Sequence, residues 1–176
     1  MVKYLLGWLV VFAIRLMPFR PANVEPLMAT LMPYSKKYGW IGGFVFAFFG
    51  IVLFDVATGN VGLWTWITGG VYGLIGTGAY FYFRNRPATA KNFVIFSVLG
   101  TLVFDAITGL GIGPIFYGQP FMQALTGQIP FTLRHLLGNV VLALFVAPAI
   151  YRWVVENPIF ATRLLWNRLA HHATIR

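Results

Sequence analysis

Four carboxylates stand in a chain of 176 residues, and both aspartates fall in one repeated hexapeptide. Phe54-Asp55-Val56-Ala57-Thr58-Gly59 returns as Phe104-Asp105-Ala106-Ile107-Thr108-Gly109. A carboxylate closing an apolar helix is costly unless it meets water, a partner or a ligand. Two equivalent carboxylates at equivalent helix ends point to one side of a membrane protein that binds something. Other polar groups converge on that side. The first connection supplies Asn23 and Glu25, the second Asp55, Asn60 and Trp64, the third Asp105, Tyr117 and Gln123, and the last helix His135 and Asn139. These ten form the candidate substrate-binding set. His135 and Asn139 are four apart and share a helix face, whereas Arg134, adjacent to His135, cannot share its direction. Carboxylates would hold cationic or amine groups, amides would fix orientation and aromatics would stack, which suits a small polar or zwitterionic ligand in a concave pocket.

Other chemistries find less support. There is no cysteine, so no thiolate nucleophile or thiolate metal site. No His-x-x-x-His or Glu-x-x-His spacing, nucleophile elbow, Walker or Rossmann pattern occurs. The reading is therefore no enzyme, no cofactor and no metal. The formal charge of +9 comes from Lys and Arg scattered at helix ends. That is topogenic charge rather than a nucleic-acid footprint. Plainer roles are also open: Trp64 and Trp66 as interfacial anchors, Glu25 as a first-turn acid favoured by the helix dipole, Asp55 and Asp105 as helix ends among headgroups.

The elements that must position these residues are apolar. The chain is 59% hydrophobic and 10% charged, against about a quarter charged in soluble domains. It reads as all-α and polytopic, with about six transmembrane helices: Val2–Met17, Glu25–Tyr34, Tyr38–Phe54, Val61–Phe83, Asn92–Phe104 and Phe131–Val155. Lys36 and Lys37, Arg84, Arg86 and Lys91, and the cations after the last segment mark the cytoplasmic side. Both termini then lie inside, in the cell membrane of a prokaryote, with the acids outside. Arg15 and Arg20 are exceptions, read as partners of those acids. A cleaved signal peptide at the start is disfavoured by Pro18, Arg20 and Pro21 where a cleavage site should be. The second segment is short and carries Pro33. It must continue through Lys36–Gly39 or be a half-helix supported by its neighbours. The connection from Asp105 to Pro130 is rich in Gly and Pro and reads as a long loop folded onto the outer face. The hexapeptides suggest a parallel duplication of a helix pair. Gly39, Gly43, Ala47 and Gly50, and Gly62, Thr65, Gly69, Gly73 and Gly76, form stripes of small residues suited to close helix packing or to a partner subunit. Residues 1–156 make one transmembrane domain. Residues 157–176 make an amphipathic tail on the cytoplasmic surface, capped by Asn157 with Pro158 at its first position.

The run Arg15-Leu16-Met17-Pro18, leading through Pro21-Ala22-Asn23-Val24-Glu25-Pro26 into Leu27-Met28-Ala29, resembles the S components of energy-coupling-factor (ECF) transporters. The Asp-ended third segment and the stretch from Ile129-Pro130-Phe131 to Leu137-Gly138-Asn139 are similar too. The resemblance implies a six-helix subunit that captures a vitamin or other micronutrient under its outer loops. It also implies association with a transmembrane coupling subunit and ATPases on other chains. One departure is that the first helix lacks the Ala-x-x-x-Ala docking pair of many members and offers Gly7 and Ala13, six apart. Two rival readings are a membrane scaffold without a solute ligand and a membrane-embedded enzyme on lipid-linked substrates. The enzyme would use Asp105 and His135 as acid and base, and would need them within hydrogen-bond reach.

Overall fold

The computed structural model describes residues 2–21 and 23–160. The chain folds as helices: α1 (Val2–Arg15), α2 (Pro26–Thr58), α3 (Leu63–Phe83), α4 (Ala90–Asp105), α5 (Gly113–Tyr117) and α6 (Phe121–Ile150). A π-helical turn, Ala106–Ile112, joins α4 to α5, a second, Tyr151–Val155, extends α6, and a 3-10 turn follows at Pro158–Phe160. No strand occurs among the described residues.

α2 is a helical hairpin. Gly39 has φ 80° and ψ −176°, a backbone state that a side chain resists. The chain reverses there, so Leu27 meets Gly50, Ser35 meets Gly43, and the rings of Tyr34 and Phe46 stack at 3.9 Å. Glu25 caps the first arm by accepting the Leu27 N–H at 3.0 Å, and Pro26 occupies the first turn, where its missing N–H costs nothing. Every residue from Pro26 to Ser35 is buried. The short second segment thus continues to the Gly39 turn, and it tolerates Pro33 because protein surrounds it on all sides.

The remaining helices pack in alternating directions. Along α1, Tyr4 donates to the Gly42 carbonyl and Trp8 to the Phe46 carbonyl, so α1 runs parallel to the second arm of α2. α3 returns antiparallel to that arm. Gly43 and Gly76 touch backbone to backbone, Phe44 covers Gly73, and Phe48 packs at Gly69. Gly43, Gly50, Gly69, Gly73 and Gly76 of the small-residue stripes are therefore spent on internal packing, whereas a Cβ at Gly39 or Gly62 would meet nothing within 4 Å. α4 returns along α3 through Phe83–Phe93 and Tyr72–Phe104 ring contacts. α6 then returns along α4.

Two ends result. At the basal end the Lys3 ammonium donates to the Val155 carbonyl, Lys36 donates to the carbonyls of Phe83 and Arg86, and Lys37 pairs with Glu156 at 3.0 Å. At the apical end lie Arg15, Glu25, Asp55, Asp105 and His135.

Three helices are long and apolar enough to cross a membrane: Pro26–Thr58, Ala90–Tyr117 and Phe121–Val155. In the first of these only the arm after Gly39, residues 40–58, is straight for that length, roughly 28 Å at 1.5 Å per residue. Large apolar side chains such as Leu9, Ile41, Leu74, Phe81, Leu99, Leu144 and Phe145 cover the outside, while Thr30, Ser35, Ser97, Thr101, Asp105, His135 and Asn139 are buried. That inside-out distribution marks an all-helical membrane protein.

Two sequence expectations are corrected. The stretch after Asp105 is not a long loop. The π-helical turn and α5 carry the helix on to Tyr117, and only residues 118–120 separate it from α6. α6 correspondingly begins at Phe121, ten residues before Phe131, with Pro130 inside it. Glycine and proline were read as breakers, but at Gly109 and Gly111 the wider π turn keeps the helix going, and Gly113 opens α5. Of the expected tail, Asn157 does cap, accepting the Ile159 N–H at 3.0 Å. Residues 161–176 lie outside the described residues.

Candidate functional site

The apical ends line an open cavity of about 320 Å³. Three pieces of local folding create it. The turn between α1 and α2 turns inward through Asn23, which holds a left-handed φ of 67°, a state Asn tolerates better than most residues. Arg15 closes α1 and grips Glu25 with two hydrogen bonds, Nε to Oε1 at 3.1 Å and Nη2 to Oε2 at 2.7 Å. Its guanidinium also lies over the Phe54 ring at 4.8 Å. This bidentate pair is nearly buried and makes the first wall. Gly59, with φ 71°, ends α2 by returning its N–H to the Asp55 and Val56 carbonyls, which leaves Asp55 on the last turn facing the cavity.

The repeated hexapeptides behave alike up to a point. Thr58 and Thr108 each donate back to the Phe carbonyl four residues earlier, at 2.9 and 2.7 Å. Each aspartate also accepts a threonine hydroxyl from a later helix, Thr65 on Asp55 at 2.6 Å and Thr132 on Asp105 at 2.7 Å. Then they diverge. Gly59 stops its helix, whereas Gly109 continues into the π turn. Asp55 is half-buried and its second oxygen has no partner among the described residues, so it is free for a ligand. Asp105 is buried, and its second oxygen accepts from His135 Nδ1 at 2.8 Å.

That last contact belongs to a polar seam between α4 and α6. Gln128 donates to Thr132 at 3.0 Å, Thr132 and His135 donate to Asp105, Asn139 donates to Thr101 at 2.9 Å, and Ser97 donates to the Asn139 carbonyl at 3.2 Å. Residues 128, 132, 135 and 139 repeat at helical spacing on one face of α6, and 97, 101 and 105 do so on α4. The seam holds His135 Nδ1 on Asp105, which fixes the ring's orientation and leaves Nε2 as its other polar atom. His135 lines the cavity between Phe104 and Phe131, whose rings meet it edge-on at 5.9 and 5.7 Å.

Of the ten residues expected at the site, Asn23, Glu25, Asp55, Trp64 and His135 line the cavity. Asp105 stands behind His135 as its positioning partner. Asn139 lies one turn deeper, fully buried, with its Oδ1 unpartnered. Tyr117 is exposed, its ring 6.4 Å from Trp64. It belongs to the rim, beside a second hollow of about 390 Å³ that shares Trp64, Phe104 and Phe131 with the first. Gln123 and Asn60 are exposed and line neither space. The residues that sequence reasoning left out of the set are Arg15, Arg20, Ile51, Thr68, Tyr72, Phe104 and Phe131. The two arginines had a signal: they broke the charge bias, and the pairing proposed for such exceptions is the one Arg15 makes with Glu25. Tyr72 had none, since a tyrosine amid Gly, Val and Leu reads as core.

Chemically the cavity is balanced. Arg15 and Glu25 neutralise each other. Asp55 offers one open carboxylate oxygen. Arg20 offers the donors not spent on the Val24 carbonyl. Tyr72, Trp64 and the two phenylalanines supply aromatic surface. No cluster of three or more His, Asp or Glu side chains able to hold a metal occurs among the described residues.

No family model and no solved structure matches the chain. Two curated proteins are similar. A UPF0397 protein of Aliivibrio fischeri strain MJ11 is 34% identical over 128 residues, covering 68% of each chain. A UPF0397 protein of Aliivibrio fischeri strain ES114 shows the same identity and coverage.

Proposed function

The chain belongs to the UPF0397 family. We propose, from its sequence and its apical cavity, that it is the substrate-capture subunit of an ECF-type uptake transporter for a small micronutrient. The observation that carries this reading is the apical cavity. It draws Arg15 and Glu25, Asp55, Trp64 and Tyr72, and His135 from separate helices into a space of about 320 Å³, within the size range of small-molecule sites. In this reading Asp55 receives a cationic or amine group, Arg20 an anionic or carbonyl oxygen, His135 a polar ligand atom through Nε2, and Trp64 and Phe131 an apolar ring. Six helical crossings in the cell membrane of a prokaryote, with the basal lysines inside, would open the cavity to the exterior. Transport energy would come from a coupling subunit and ATPases on other chains.

A scaffold would use the small-residue stripes, of which Gly43, Gly50, Gly69, Gly73 and Gly76 meet neighbouring helices of this chain. A membrane-embedded enzyme keeps one supporting observation, the 2.8 Å contact between Asp105 and His135 with His135 facing the cavity. Thermal unfolding of the purified chain against a panel of micronutrients separates these readings. Capture predicts a ligand that raises the melting temperature, is recovered unchanged, and loses its effect in Asp55→Asn. Enzyme action predicts chemical conversion of the bound molecule that stops in His135→Gln.

A further inference from the structure

A third hollow of about 590 Å³ lies on the lateral surface, outside the cavity wall. Its lining is apolar except at one point: Pro21, Val24, Leu137, Val141 and Leu142, with Arg134. Arg134 and His135 are adjacent on α6 and point into different spaces, His135 into the apical cavity and Arg134 into this groove. The turn carrying Pro21 and Val24 is the partition. It packs so closely on α6 that a Cβ at Gly138 would come within 2.9 Å of Val24.

Arg134 is exposed and makes no hydrogen bond or ion pair among the described residues. Each other apical charge makes at least one hydrogen bond: Arg15 to Glu25, Arg20 to a carbonyl, Asp55 and Asp105 with threonines. Its height is informative. From Arg134 to Val155, where Lys3 and Lys37 gather, the helix rises roughly 31 Å, one hydrocarbon thickness. On the membrane reading, with the basal lysines at one headgroup level, that distance brings Arg134 to the opposite one, and the groove runs from it along α6 toward the basal end. Leu137 and Val141 are 69% and 46% exposed, one and two turns below the guanidinium. A lone cation heading an apolar furrow at that depth complements one kind of molecule, an anionic headgroup with an attached acyl chain.

We propose that the Arg134 groove is a binding site for an anionic phospholipid, its phosphate on Arg134 and one acyl chain along Leu137 and Val141. This rests on the membrane reading of the chain and not on the cavity's ligand.

The test is native mass spectrometry of the full chain in mild detergent, titrated with phosphatidylglycerol or with phosphatidylcholine of the same acyl chains. Wild type should retain phosphatidylglycerol about fivefold better, the factor one interfacial arginine carries. Arg134→Gln should lose that preference and Arg134→Lys should keep most of it. Val141→Trp, which fills the groove without touching the charge, should lower retention of both lipids. Equal retention of the two lipids by wild type, or an unchanged preference in Arg134→Gln, overturns the proposal. So does a lipid-free dimer that Val141→Trp dissociates, since a second copy would then cover the groove. Ligand-dependent stabilisation reports on the cavity separately. Its absence in wild type would remove the capture reading and leave the lipid result standing.

Discussion

Asp55 and Asp105 show how identical neighbours in sequence can leave two carboxylates in different positions to act. Both are anchored by a threonine hydroxyl, but only Asp55 keeps an oxygen open to the cavity, while Asp105 spends both on Thr132 and His135. Their asparagine variants should therefore separate. Asp55→Asn should change stability by less than about 1 kcal/mol, a half-exposed neutral substitution, yet abolish binding of a ligand that wild type retains. Asp105→Asn should cost about 1.5–3 kcal/mol, the worth of a buried hydrogen bond to a charged group, and release the His135 ring from its fixed orientation. Denaturation in detergent alongside imidazole NMR would read both. Glu25→Gln is the harshest of the three. It strands the buried Arg15 guanidinium and should cost about 3 kcal/mol or more, with Arg15→Met in the same background restoring part of the loss.

Elements were legible in the sequence where apolar runs met charge, and illegible where glycine served continuity rather than termination. The six apolar runs correspond to α1, the two arms of α2, α3, the helix from Ala90 and the helix ending at Val155, because runs of that length have few ways to satisfy their backbone in an apolar setting. A connection between the two arms was read from Lys36 and Lys37, and continuation to Gly39 from the shortness of the first arm. Nothing local distinguishes Gly39 from Gly42 or Gly43, and its left-handed state is known from the backbone alone. The apical helices were lost to the opposite error. A stretch with Gly109, Gly111 and Gly113 looks like a loop, yet a π turn and then α5 admit it, and α6 extends through Pro130. The site was half legible for the same reason. Charged groups announce themselves, whereas Tyr72, Phe104 and Phe131 become site residues only by where their helices place them. Close packing gives the element-scale prediction. A Cβ at Gly76 would lie 2.4 Å from the Gly43 carbonyl oxygen. Gly76→Val should therefore force the second arm of α2 and α3 apart at a cost of about 1–3 kcal/mol, whereas Gly78→Val, which faces open space, should leave the melting temperature nearly unchanged.

For the molecule as a whole, the two ends divide the charge. The basal end carries the Lys and Arg excess, and the apical end gathers three of the four carboxylates around a cavity. Since the chain has no cysteine, single cysteines report topology without background. Asn60→Cys should react with a membrane-impermeant maleimide in intact cells, and Arg86→Cys should react only after permeabilisation, as the positive-inside distribution requires. Reaction of both from outside would dismantle the orientation, and with it an outward-facing cavity. The cavity itself answers to one direct measurement, mass spectrometry of the small molecules carried through a gentle purification of wild type and Asp55→Asn in parallel. The expected result is a single polar species near one equivalent per wild-type chain and depleted at least tenfold in the variant. Wild type free of any such species, or the same species at the same level in both proteins, would contradict capture at Asp55.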